Sequence, residues 1–141
     1  MLYVACVIIV ERGAILLVKK GNFWILPGGK IEEGESDAQC IFREICDEEI
    51  PTIEIKELMY FRNFLGTTPS SRRKVCASVY FAEATGLIVV REEDSIREAR
   101  LVKNPLLLNL SDVTRDVTFY LQTQGFLNRG VDYGSILSGL W

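Results

Sequence analysis

The first ten residues, MLYVACVIIV, constrain the fold more than any other stretch of the chain. The run has no charged side chain, yet it is far shorter than the roughly 20 apolar residues that span a bilayer. It lacks the basic start and small-residue cleavage site of a secretory leader. A buried β-strand over Tyr3–Val10 is what remains. With 141 residues, a single domain can bury a core around that strand without disulfide or metal staples. The net charge of −3 offers no broad cationic field, so neither stable nucleic-acid binding nor an anionic membrane surface is expected. A small polyanionic ligand would need a local cation, from the protein or from a metal.

The rest of the chain alternates strands and helices. Ile15–Lys19 follows the first strand through ERGA, and residues 22–26 (NFWIL) make a short strand closed by PGGK. A helix is expected from Asp37 to about Glu49. Ser36 and Gln39 form a capping box in front of it, and Ala38, Ile41, Phe42 and Ile45 form an apolar stripe. Strands are expected over Ile53–Phe64, Lys74–Ala82, Leu87–Val90 and Ala99–Lys103, with LGTTPSSRR as a polar connection. A last helix runs from its N-cap Ser111 to Gln124, stops at Gly125, and buries Val113, Val117, Tyr120 and Leu121. Residues 1–125 form one mixed α/β domain, and 126–141 are an apolar, glycine-spotted tail. That tail could pack on the domain or on a second subunit, which leaves a homodimer open.

Composition narrows the chemistry. No histidine is present, which excludes Ser-His-Asp and Cys-His machinery and His-ligated metals. Cys6, Cys40, Cys46 and Cys76 have no zinc-site spacing and apolar neighbours, so buried free thiols and a reducing cytoplasm are expected. Acid–base work falls to Asp, Glu, Lys, Tyr or Cys.

The segment REICDEEIP, residues 43–51, gathers carboxylates at a helix C-terminus, where the dipole disfavours them. On an α-helix Asp47 lies about 60° behind Glu44 and Glu48 about 40° ahead, so the three share one arc beside the apolar stripe. Such a cluster is either a solvated acidic face or a site for a hard divalent cation. In front of it stand Gly28 and Gly29, where the backbone can approach a ligand closely, and an acidic loop with Glu32, Glu33 and Glu35.

From Gly29 to Pro51 this succession resembles the Nudix box, G-x5-E-x7-R-E-U-x-E-E-x-G-U with U aliphatic. Gly29 opens the box, and Glu35 falls on its first glutamate. Arg43-Glu44-Ile45 falls on R-E-U, and Asp47 and Glu48 on the acidic pair. LPGGKIEEGE is similar to the approach in MutT-like members. Asp47 stands in place of a glutamate, and Ile50 in place of the glycine that ends the helix. Pro51 after it disfavours helical conformation and supplies another stop.

The resemblance implies an α/β/α sandwich, a mixed sheet flanked by the box helix and the C-terminal helix. It implies Mg²⁺ or Mn²⁺ held by Glu44, Glu48 and the carbonyl of Gly28, with Asp47 direct or through water. Glu44 could instead act as general base. Arg43 would pair with Glu35 to fix the loop, although by spacing alone it could pair with Asp47. The implied reaction is attack of water on a phosphorus of a nucleoside-linked diphosphate. A nucleoside triphosphate is the leading substrate. ADP-ribose or a nucleotide sugar is the alternative, as is a binding module that does not hydrolyse its nucleotide. Trp24, either a base-stacking or a core residue, and Lys30 are candidate substrate contacts, and Glu98, with Glu93 second, is either a further carboxylate or an exposed loop acid. Phe23, Tyr60, Phe61 and Phe64 are either base-stacking or core residues, and Arg72, Arg73 and Lys74 either meet phosphates or keep a loop soluble.

Overall fold

A computed structural model describes residues 1–86 and 96–127, apart from the side chains of Glu48, Ile96 and Arg97. In chain order the strands are β1 (Leu2–Ile8), β2 (Val10–Glu11), β3 (Ala14–Lys20), β4 (Phe23–Ile25) and β5 (Gly28–Lys30). After the box helix come β6 (Ile53–Thr67), β7 (Lys74–Gly86) and β8 (Ile96–Val102). The C-terminal helix α2 spans Asp112–Thr123. The expected strand over Leu87–Val90, Glu93 and residues 128–141 lie outside the described residues.

The strands form two sheets. In one the order is β5-β1-β7-β6, with β1 parallel to β7 and antiparallel to β5, and β7 antiparallel to β6. In the other, β3 pairs antiparallel with β2, β4 and β8. Ala5–Ile8 of β1 and Ala14–Val18 of β3 are buried on both faces, which is why these runs are apolar. Cys6, Ile8, Ile15 and Leu17 join Val113, Val117 and Leu121 of α2 in one core layer. Ala5, Val7, Leu16 and Val18 join Ile41, Ile45 and Ile50 of the box helix in the other. This alternation is what makes the chain an α/β/α sandwich.

The ends of α2 match their sequence signals. Ser111 accepts from the Thr114 N–H, and beyond the helix the Phe126 N–H donates to Leu121 and the Gly125 N–H to Gln122. These last two bonds make a Schellman ending. β6 and β7 run further than expected, because they pair with each other almost throughout, from Ile53↔Gly86 to Thr67↔Lys74. The polar connection therefore shortens to residues 68–73. Cys6 and Cys40 are buried, whereas Cys46 and Cys76 are half-buried, and all four are free. Among the described residues no helix is long and apolar enough to cross a membrane.

Leu16 and Leu17 are neighbours on β3 that serve opposite layers, and both are fully buried. Leu16→Ala and Leu17→Ala are each expected to lower the unfolding free energy by about 2–5 kcal/mol, measured by urea titration. A single-sided sheet would give a large loss for one substitution and almost none for the other.

Candidate active site

The site is assembled where β5 meets the box helix. The helix begins as expected: Ser36 Oγ accepts from the Gln39 N–H at 3.1 Å, and Gln39 Oε1 accepts from the Ser36 N–H at 2.9 Å. Its first turns, Asp37–Ile41, are α-helical. From Phe42 to Glu49 it is a π-helix, ended at Ile50, whose N–H donates to the carbonyl of Ile45 at 2.7 Å. The expected apolar stripe changes accordingly. Ala38 and Phe42 are exposed, and the buried face is Cys40, Ile41, Ile45 and Ile50.

β5 runs against β1, with Gly28 opposite Cys6 and Gly29 opposite Ala5. Gly28 adopts φ +145°, and a Cβ there would lie 2.1 Å from the carbonyl oxygen of Ala5. At Gly29 the close neighbour is functional: a Cβ would lie 2.6 Å from either carboxylate oxygen of Glu44. Gly29 thus lets Glu44 press against the strand backbone. The Cys40 thiol donates to the carbonyls of Gly29 and Lys30 at 3.3 and 3.4 Å. Burial pushes this thiol up to about 11, so it remains a protonated donor.

Arg43 ties loop, strand and helix together. Its Nε and Nη2 donate to the two carboxylate oxygens of Glu35 at 2.7 and 3.0 Å, a bidentate pair. Nη2 also donates to the carbonyl of Lys30 at 3.0 Å, and Nη1 to Glu44 Oε1 at 2.9 Å. These donations from Arg43, and then the Glu32 contact, hold the Glu35 carboxyl down at about 2. Arg43 itself is shifted upward, mainly by Glu35.

The other acidic residues are distributed unevenly. Asp47 is exposed. Glu49, which no expectation singled out, is 3% exposed, accepts from the Gly28 N–H at 3.2 Å and lies 3.8 Å from Lys20 Nζ. The side chain of Glu48 lies outside the described part of the structure. Among the described residues no three His, Cys, Asp or Glu side chains gather as a metal-holding group.

A cleft of about 310 Å³ opens beside Gly28 and Gly29, with Lys20, Lys30, Thr67 and Ser111 among its lining residues and Val4 and Val113 on its apolar walls. Asp112 fixes one rim by accepting from the Thr67 N–H at 2.9 Å, which draws its carboxyl below the usual range. Lys30 lines this cleft. Trp24 does not, because its ring is 5% exposed in the α2 core layer, with Arg100 and Lys19 lying 5.1 and 5.8 Å from its centre. Phe61 and Phe64 also serve that layer. Glu98 pairs with Arg100 on β8, opposite Lys19, and does not line the cleft.

The Nudix domain model matches residues 1–121, and the chain belongs to the Nudix family. Its fold is similar to that of a MutT Nudix hydrolase from Burkholderia pseudomallei, with a TM-score of 0.69 and 26% identity over 82% of this chain and 93% of that one. The E. coli ORF135 protein gives 0.68 at 20% identity, covering 89% and 93%. The Nudix domain of Shewanella oneidensis NrtR, solved with ADP-ribose, gives 0.63 at 18% identity, covering 88% of each. No curated protein matches the chain. Family membership implies pyrophosphohydrolase chemistry, and Nudix hydrolases generally use divalent metals.

The Glu35–Arg43 pair makes stability depend on acid. Glu35 is held at about 2 when folded against an ordinary 4.5, so its contribution is complete above about pH 4.5 and is lost as pH falls towards 2. In urea titrations at stepped pH, the stability gap between the wild type and Glu35→Gln is expected to narrow over that window. A gap that stays constant would mean the pair does not stabilise the fold.

Proposed function

We propose that this Nudix protein hydrolyses a diphosphate bond of a nucleoside triphosphate, as a MutT-like pyrophosphohydrolase using Mg²⁺ or Mn²⁺. The observation that carries this reading is the placement of Glu44. Its carboxylate, oriented by Arg43, fills the space a side chain at position 29 would take, and Gly29 itself lines a cleft of about 310 Å³.

The donors fit a hard divalent cation. Carboxylate oxygens of Glu44 and the carbonyl of Gly28 are the oxygen ligands such ions take, and the family pattern adds Glu48. When bound, the ion neutralises phosphate charge and makes a coordinated water more acidic. The chain's residues supply the rest. Glu35 locks the Arg43 guanidinium, and Arg43 fixes one oxygen of Glu44. Lys20 and Lys30 line the cleft and bring positive charge to phosphates that the net charge of −3 would otherwise repel. The apolar walls from Val4 and Val113 suit a base or sugar face rather than a second charged group. Four free thiols support a reducing cytoplasm as the working compartment.

A panel of nucleoside triphosphates, ADP-ribose, nucleotide sugars and dinucleoside polyphosphates, assayed with Mg²⁺ or Mn²⁺ and with chelator, tests this reading. Turnover of a nucleoside triphosphate that disappears with chelator is expected. Glu44→Gln should lower kcat at least about 100-fold, the scale of losing a positioned acid–base or charged group. Preference for ADP-ribose or a nucleotide sugar would move the substrate within the family. Absence of metal-dependent turnover across the panel would contradict hydrolysis and favour a nucleotide-binding module.

A further inference from the structure

The π-helical segment changes which carboxylates face the glycine pair. An i→i+5 turn holds one residue more than an α turn, so it absorbs a single inserted residue and returns the following chain to phase. Two pairs reveal that phase. Ile45 and Ile50 are both fully buried in the same core layer, and the Ile50 N–H donates to the Ile45 carbonyl at 2.7 Å. One residue earlier, Glu44 and Glu49 both reach the β5 glycines. Glu44 lies against Gly29, and Glu49 accepts from the Gly28 N–H at 3.2 Å. Asp47, between them, is exposed.

We infer that Asp47 is the surplus residue of the box helix, and that Glu49 takes the cation-facing place beside Glu44 that the box pattern gives to Glu48. The adjacent acidic pair of the motif is then Glu48–Glu49, and the aspartate in place of a glutamate is no departure at all. Burial supports the assignment. A carboxylate at 3% exposure costs several kcal/mol of desolvation unless a cation answers it, and Lys20 stands 3.8 Å away on the cleft side. Asp47, in water, needs no such answer. The inference rests on the divalent-cation reading of the site above.

Mn²⁺ binding to the full chain without substrate, followed by electron paramagnetic resonance of free Mn²⁺, tests it separately from turnover. Glu49→Gln is expected to weaken binding by about tenfold or more, the scale of disturbing a metal's close surroundings. Asp47→Asn should change it less than about twofold, consistent with an exposed side chain outside the metal shell. Removing Asp47 altogether, which restores four-residue spacing between the two glutamates and between the two isoleucines, should leave a folded protein that still binds Mn²⁺. Circular dichroism melting checks the fold of each variant. Should Glu49→Gln fail to fold, the exposed Asp47→Asn decides alone. A tenfold loss in Asp47→Asn, or unchanged binding in folded Glu49→Gln, overturns the assignment while leaving the cation reading intact. A wild type that binds no Mn²⁺ in the millimolar range overturns both.

Discussion

Arg43 donates to Glu35, to the carbonyl of Lys30 and to Glu44, and each bond fixes a different part of the site. The first holds the acidic loop, the second holds β5, and the third orients the carboxylate that meets Gly29. A guanidinium suits this work because its planar fork can bind a carboxylate with two donors and still offer a third edge. Like-charged neighbours on the helix would otherwise repel one another with nothing to order them. Half-buried and bonded to loop, strand and helix, Arg43 turns that repulsion into a fixed arrangement.

The second constraint is the close approach of β5 and the box helix. Gly29 admits no side chain because the Glu44 carboxylate takes that space, Gly28 admits none because β1 lies against it, and the Gly28 N–H donates to Glu49. The helix then has to satisfy its core face and its carboxylate face together. A π turn does both, keeping Ile45 and Ile50 buried while Glu44 and Glu49 meet the strand. Such turns are uncommon in helices and recur at functional sites, where side-chain direction matters more than the regularity of the hydrogen-bond ladder.

How far the sequence foretold this depends on the range of the forces involved. The caps at Ser36 and Ser111 and the stop at Gly125 are local chemistry and were legible. The apolar first strand was legible too, since nothing but burial accommodates it. The Arg43–Glu35 contact was expected from the family pattern, with an Asp47 pair as the competing reading from spacing. The helix pitch was missed because a stripe of Ala38, Ile41, Phe42 and Ile45 fits 3.6 residues per turn well. The correcting signal was present in the spacing of five from Glu44 to Glu49 and from Ile45 to Ile50. Trp24 was left open between stacking surface and core for another reason. An aromatic residue in a short strand can face either layer, and only the docking of α2 decides which.

Crystals of the full chain grown with Mn²⁺ and measured for anomalous scattering test the cation centre and its altered register together. An anomalous peak bounded by the Gly28 carbonyl, Glu44 and Glu49, with Asp47 in solvent, is the predicted result. A peak ligated by Asp47, or none beside the glycine pair at saturating Mn²⁺, would contradict it.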